Sequence, residues 1–403
     1  MVELIKVGIV FLVILLLTFR RTSLWISLLG ATVLLGLLFR LPPLKIAEDV
    51  FHAALERKTL FLLGSFTAIL LFSNLLKETG RIEKILHGFR HLLGDIRAVV
   101  ALFPAIIGLM PIAGGALVSA PMVVPGCDEL NLSPERRTFI NYWFRHVWEY
   151  VLPTFPALLL AATLTGIGLR RLCWIQLPLT LVSILSGILM GYWGVPKSIR
   201  EGEVLSGRST AWDLFLNLLP LLLSLILVVG FQVELMYAFG LTTLGIILFY
   251  KIGMEKVWRG LRESVSMELF STVVIVMGFK KVLESSQAIS HISAGLSMSE
   301  VPGWLVAISI PLIVGLITGS TIAVPAIAFP ILIPLFQKNP TFQLYMMLSF
   351  ASGISGTMLS PVHLCLVLTK DFFQAQWGGV YRLLWIPTAS IMVVGLLVFL
   401  LFG

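Results

Sequence analysis

Arg145-His-Val-Trp-Glu149 puts a guanidinium, an imidazole and a carboxyl close together in a stretch that is otherwise apolar. Arg145 and Glu149 are four apart, the spacing of a pair on one helix face, and His146 stands three before Glu149. Charges at membrane depth face protein or water and mark substrate or ion pathways. Arg145 is only about seven residues into its apolar segment, so snorkelling to the interface is the competing reading. Held inside, Arg145 could bind an anion, while His146, which titrates near neutral pH, could carry a proton with Glu149.

A second stretch reads Gly353-Ile-Ser355-Gly356-Thr357-Met-Leu-Ser360-Pro361-Val-His363, with hydroxyls and glycines where the first has charges. Ser355, Gly356 and Thr357 are candidate substrate ligands. Ser360 and His363 join His146 and Glu149 as candidates for a coupling ion or proton. Gly353 to Gly356 also spells Gly-x-Ser-Gly, the nucleophile motif of intramembrane serine proteases, but a proteolytic dyad needs a histidine on a facing helix. His363 lies further along the same segment, beyond a proline. With neither His-Glu-x-x-His nor a Walker sequence, no catalytic residue, metal site or bound cofactor is expected, and the chain reads as a non-enzyme.

Two interrupted apolar segments must position these groups. Phe103 to Pro125 contains Gly108-Leu-Met-Pro-Ile-Ala-Gly-Gly-Ala116, and Ile310 to Pro330 contains Gly315-Leu-Ile-Thr-Gly-Ser-Thr321. Broken helices in lipid strand backbone N–H and C=O groups, so they persist only inside protein or beside a watery cavity. The freed ends suit ligands: half-helix N-termini attract anions and unwound carbonyls take small cations. Gly114, Gly115 and Ala116 at one break, and Gly319, Ser320 and Thr321 at the other, are therefore candidate substrate contacts. Close helix packing through small residues is the alternative.

Composition fixes the setting. Of 403 residues 58% are hydrophobic and 12% charged, with mean hydropathy +0.97, which indicates an integral membrane protein. Long apolar runs carrying Gly, Pro and Trp favour helices over the alternating strands of a barrel. The net charge of +8 fits Lys and Arg gathered in cytoplasmic loops, so the partners expected are the bilayer and a small molecule, not nucleic acid. Cys127, Cys173 and Cys365 have no paired spacing and read as ordinary membrane cysteines. Arg20-Arg21 closes the first apolar stretch with no small-residue cleavage pattern, as in a retained span.

Apolar runs place spans near 4–19, 23–39, 59–76, 138–165 and 172–193, and again near 213–231, 235–250, 265–282, 343–369 and 383–402. The fold expected is all-α integral membrane, with about ten spanning helices plus two re-entrant hairpins in two inverted repeats. Residues 1–196 form the first repeat, with its hairpin near 97–126 and a broken helix near 138–165. Residues 197–212 are a cytoplasmic linker. Residues 213–403 form the second repeat, with its hairpin near 302–336 and a broken helix near 343–369. The stretch 138–165 would be about 42 Å long as one helix, against a core of about 30 Å, and Pro153 and Pro156 interrupt it. Five crossings per repeat invert the second relative to the first. That arrangement puts about 18 Lys and Arg inside against about 10 outside, with both termini external on a multi-pass cell-membrane protein. From Arg81 to Arg97, Ile82, Ile85, Leu86, Phe89, Leu92 and Leu93 fall at helical spacing, as in a helix on the membrane surface; Ile289, Ile292 and Leu296 form a weaker counterpart.

This order of spans, hairpins and broken helices resembles the ion-transporter superfamily of secondary carriers, which includes divalent-anion/sodium symporters, gluconate permeases and citrate carriers. Arg145-His-Val-Trp-Glu149 and Ser360-Pro-Val-His-Leu364 are most similar to an uncharacterised ten-span family within it. The resemblance implies an elevator mechanism, hairpin tips meeting at a midplane site, and a homodimer. Sodium-coupled dicarboxylate members carry Ser-Asn-Thr at both tips; here Ile112 to Ala116 leaves backbone carbonyls alone at one, while Gly319-Ser320-Thr321 keeps hydroxyls at the other. The expected function is secondary active transport of a small organic anion, such as a carboxylate, coupled to Na+ or H+. A passive anion channel, or an intramembrane serine protease using Ser355, is the alternative.

Overall fold

Prolines and glycines decide where the helices of this chain stop. The computed structural model describes residues 2–110, 115–198, 208–287 and 301–402, and among these there is no strand. The chain begins with α1 (Val2–Phe19), α2 (Leu24–Leu38), α3 (Pro43–Leu55), α4 (Arg57–Glu78) and α5 (Arg81–Leu92). Helices α6 (Ile96–Gly108) and α7 (Gly115–Glu129) then pack against each other. Next, α8 (Pro134–His146) stops, residues 147–155 turn without helix, and α9 (Pro156–Thr165) resumes before α10 (Leu169–Tyr192).

The order after residue 207 follows similar lines. Helix α11 (Arg208–Leu225) ends in a π-helical turn, Ile226–Gly230, and is followed by α12 (Leu235–Phe249), α13 (Met254–Ser264) and α14 (Met267–Ser285). Helix α15 (Gly303–Thr318) is linked through a π-helical turn, Val324–Ala328, to α16 (Phe329–Phe336). Then α17 (Phe342–Met358) stops, residues 359–363 turn, α18 (Leu364–Phe372) resumes, and α19 (Trp377–Phe402) closes the described chain.

The breaks follow from local chemistry. Proline lacks an N–H, so Pro153 and Pro361 cannot continue a helical ladder, whereas Pro156 sits at the first position of α9, where no donor is needed. Gly166 (φ 73°) and Gly319 (φ 60°) end α9 and α15 in the left-handed conformation that glycine adopts without strain.

Four helices, Arg57–Glu78, Leu169–Tyr192, Ala211–Gly230 and Trp377–Phe402, are long and apolar enough to cross a membrane. Of the other expected spans, those near 4–19, 23–39 and 235–250 appear as the shorter apolar helices Ile5–Phe19, Leu24–Leu38 and Leu235–Phe249. Large apolar side chains remain exposed along α10, α11 and α19, among them Leu185, Phe215 and Trp385, a surface better suited to lipid than to water. Helices α3 and α13 occupy stretches that long apolar runs do not reveal, because each is short and half polar.

The elements on either side of residues 199–207 interlock. Helix α4 packs on α12 and α13, and α14 packs on α2 and α3. Helices α6 and α8 are neighbours, as are α15 and α17. The stretch expected to lie on the membrane surface is helical over Arg81–Leu92, as α5; it buries Ile82, Ile85 and Leu86, lies along α11, and stacks the Arg81 guanidinium 3.5 Å from the Tyr250 ring centroid. Its proposed counterpart at Ile289, Ile292 and Leu296 falls outside the described residues.

Asp95 anchors the start of α6. Its carboxylate accepts from the Arg97 backbone N–H at 3.0 Å, and the Arg97 guanidinium lies 2.8 Å away. The Arg97 side chain holds the Asp95 carboxyl below the usual carboxylate range. A lowered folded-state pKa gives stability that is present above the unfolded pKa and lost as pH falls through the folded one. Asp95→Ala is expected to cost about 1 kcal/mol, the usual worth of such a cap, read as an earlier unfolding transition in detergent at neutral pH.

Candidate functional site

The two breaks face each other, with the ends of α7 and α15 against them. Helix α8 delivers Asn141, Tyr142, Arg145 and His146 on its last turns, and all four are buried. Because α8 stops at His146, Glu149 stands in the turn that follows, so the helical four-residue register expected between Arg145 and Glu149 does not form. Glu149 reaches instead toward His146, with Oε1 3.9 Å from Nε2. Arg145, only 4% exposed, does not snorkel to the surface.

Arg145 defines the first tip. A Cβ added at Gly115 would stand 2.5 Å from Arg145 Nη2 and 2.7 Å from Nε, so the guanidinium lies directly on the first residue of α7. Asn141 Nδ2 donates to the Ala116 carbonyl at 2.9 Å. Gly115 and Ala116 are thus at the site, whereas Gly114 lies outside the described residues. Gly108, at the end of α6, packs so closely on α8 that a methyl group there would strike the Arg145 carbonyl.

Tyrosines close the backbone freed by the second break. Tyr142 Oη donates to the Met358 carbonyl at 3.1 Å, and Tyr381 Oη to the Leu359 carbonyl at 3.0 Å. Ser360 Oγ donates to the Leu316 carbonyl at 2.7 Å, tying the break to the last turn of α15. His363 caps α18 and donates from Nδ1 to the Gly319 carbonyl at 2.6 Å, because a carbonyl oxygen can only accept. At the opposite tip, Trp148 Nε1 donates to the Ala105 carbonyl at 2.9 Å. The breaks are held by side chains in place of the missing helical bonds, as burial in an apolar setting requires.

The two histidines meet. His146 Nε2 and His363 Nε2 are 3.2 Å apart although the residues are far apart in sequence. The Tyr142 ring lies over both, at centroid distances of 4.6 and 5.5 Å. Cys365, the second residue of α18, places its sulfur within 4.8 Å of both imidazoles' ligand atoms.

Glu149 Oε2 and Thr154 Oγ1 are buried nearby with no hydrogen-bond partner among the described residues, and Tyr150 Oη and Ser355 Oγ, set beside each other, have no further one. All come from the breaks or the helix ends leading into them. Unsatisfied groups of this kind each cost about 1–3 kcal/mol unless a ligand, ion or water completes them.

The remaining candidates are spread around this centre. Gly319, Ser320 and Thr321 are half-buried at the second tip, where the Ser320 N–H donates to Thr318 Oγ1 at 3.3 Å. Gly356 lies against the Leu312 backbone, and Thr357 donates to the Gly353 carbonyl at 3.0 Å, in the contact between α15 and α17. Tyr142, Asn141, Trp148 and Cys365 join the site only through the fold. The short His363-x-Cys365 spacing was the one available signal for the cysteine; the others depend on contacts that only the fold creates.

No curated protein matches the chain. Residues 4–402 match the family described as a protein of unknown function, DUF401. With nearly its whole length covered, the chain belongs to the DUF401 family.

Proposed function

We propose that this protein is a secondary active transporter of a small organic anion, a carboxylate, working by an elevator-type movement and driven by Na+ or H+. The observation that carries the reading is the meeting of two helix breaks at a buried cluster in which Arg145 offers positive charge at the α7 N-terminus. A helix N-terminus and a guanidinium together bind carboxylate strongly, and the guanidinium can do so with two hydrogen bonds. Tyr150 Oη and Ser355 Oγ, buried beside each other, supply further contacts. His146, Glu149, Ser360 and His363 form the cation-coupling side of the site. Ser320 and Thr321 close it from the second tip.

The order of elements supports two inverted repeats: each series runs through several helices to a packed helix pair, a broken helix and a long closing helix. The packing agrees, since α4 on α12 and α13 corresponds to α14 on α2 and α3. An open cleft of about 660 Å³ lies at the far end of α9, lined by Arg57, Lys58, Arg170 and Ser65 among others. On the charge assignment above it faces outward, and its cations would draw anions toward the breaks.

Against the protease reading, His363 gives its Nδ1–H to the Gly319 carbonyl and turns Nε2 toward His146, 3.2 Å away, while Ser355 stands beside Tyr150. The transport reading is tested by thermal unfolding of the purified protein against a panel of mono-, di- and tricarboxylates. A substrate present at 100 times its Kd should stabilise the protein by about 2.7 kcal/mol. A panel of carboxylates that leaves the unfolding transition unmoved, while an unrelated class of solute shifts it, would remove the carboxylate assignment.

A further inference from the structure

His146 and His363 face each other in a way that neutral imidazoles alone do not favour. His146 Nδ1 lies 2.6 Å from the Tyr142 carbonyl and His363 Nδ1 lies 2.6 Å from the Gly319 carbonyl. A carbonyl has no proton to give, so both Nδ1 atoms carry hydrogen and both neutral rings present a bare Nε2 lone pair. Those two lone pairs point together across 3.2 Å. Something positive belongs between them.

The surroundings distinguish a metal ion from a lone proton. Cys365 Sγ falls within 4.8 Å of both imidazole ligand atoms, and all three residues are buried. Glu149 brings Oε1 to 3.9 Å from His146 Nε2, while its Oε2 is buried without a partner among the described residues. Two nitrogens on a tetrahedral zinc ion, each bound at about 2.0–2.1 Å, are separated by about 3.3 Å, close to the spacing here. Histidines that bind metal through one ring nitrogen commonly donate the other N–H to a backbone carbonyl, and both rings already do so. The donor set of two imidazoles and one thiol is that of a borderline-soft divalent ion, not of Mg2+ or Ca2+.

The geometry points to a metal site for a Zn2+-class ion, with His146 Nε2, His363 Nε2 and Cys365 Sγ as its three protein ligands and the Glu149 carboxylate beside His146, outside that set. The thiol loses its proton to solvent as the metal binds. The Ala116 backbone N–H beside that thiol can donate to the thiolate that remains, and the Ala116 carbonyl keeps its bond from Asn141. Metal and coupling proton would compete for the same lone pairs. The assignment does not depend on the transport reading, because it concerns binding alone.

The test uses the full-length protein, expressed with Co2+ in the medium, purified in detergent and assayed for metal content and visible absorption. The result expected is about one Co2+ per chain, with tetrahedral d–d bands and a thiolate-to-cobalt charge-transfer band. Cys365→Ser should elute as a folded protein, lose the charge-transfer band and bind at least about tenfold more weakly. His146→Gln/His363→Gln should retain no cobalt. Wild-type protein that elutes folded without stoichiometric cobalt overturns the site. So does a Cys365→Ser variant with unchanged affinity and spectrum.

Discussion

Arg145→Gln should reduce anion uptake by about 100-fold. The guanidinium is the one cation held at the α7 N-terminus among the buried polar residues described, and it lies against Gly115 with room for no side chain there. A bidentate bond between guanidinium and carboxylate is worth about 3 kcal/mol when desolvated, and every 1.4 kcal/mol is tenfold. Removing the charge has a second effect, because its field reaches Glu149, His146, His363 and Cys365. Arg145→Lys separates the two effects: it keeps the charge for these neighbours but gives up the planar fork. The lysine variant should unfold near the wild-type temperature and still lose most of its affinity. Normal uptake by either variant would remove Arg145 from the substrate site.

Gly315→Val should lower stability by about 3 kcal/mol or more, the upper end of overpacking costs. A side chain at Gly315 would run into the Gly353 carbonyl and the Thr357 backbone, and Gly356 makes the reciprocal approach onto Leu312. Backbone atoms cannot escape by changing rotamer, so α15 and α17 would have to separate. That separation would also pull Ser360 from the Leu316 carbonyl and His363 from the Gly319 carbonyl. The matched control is Gly240→Ala, at a helical glycine with open space around it, which should leave stability nearly unchanged. Equal expression and unfolding temperature for Gly315→Val and wild type would show that the close approach is dispensable.

Much of this arrangement is written in local chemistry. Pro153 and Pro361 mark the two breaks because each removes a backbone donor, Pro156 marks where α9 restarts, and Gly319 marks the end of α15 because it takes a positive φ. Arg145 and Glu149 stand out because charges in apolar stretches are rare. What single-sequence reasoning cannot reach is the partner of each group. The Tyr142 bond to Met358 and the meeting of His146 with His363 each join residues more than 200 positions apart. Cys365 resembles any membrane cysteine until those histidines are beside it. The helical register assumed for Arg145 and Glu149 failed for the same reason: it extended a helix that ends at His146. Short, half-polar α3 and α13 escape hydropathy because a window scaled to the bilayer averages them away.

Accumulation against a concentration difference is the property that separates a coupled carrier from a channel or an enzyme. Purified protein in proteoliposomes, given a labelled carboxylate and an imposed inward Na+ or H+ gradient, should raise the internal concentration above the external one. The excess should collapse when an ionophore dissipates the gradient. Internal label that never exceeds the external level under either gradient, for every carboxylate the protein admits, would contradict secondary active transport.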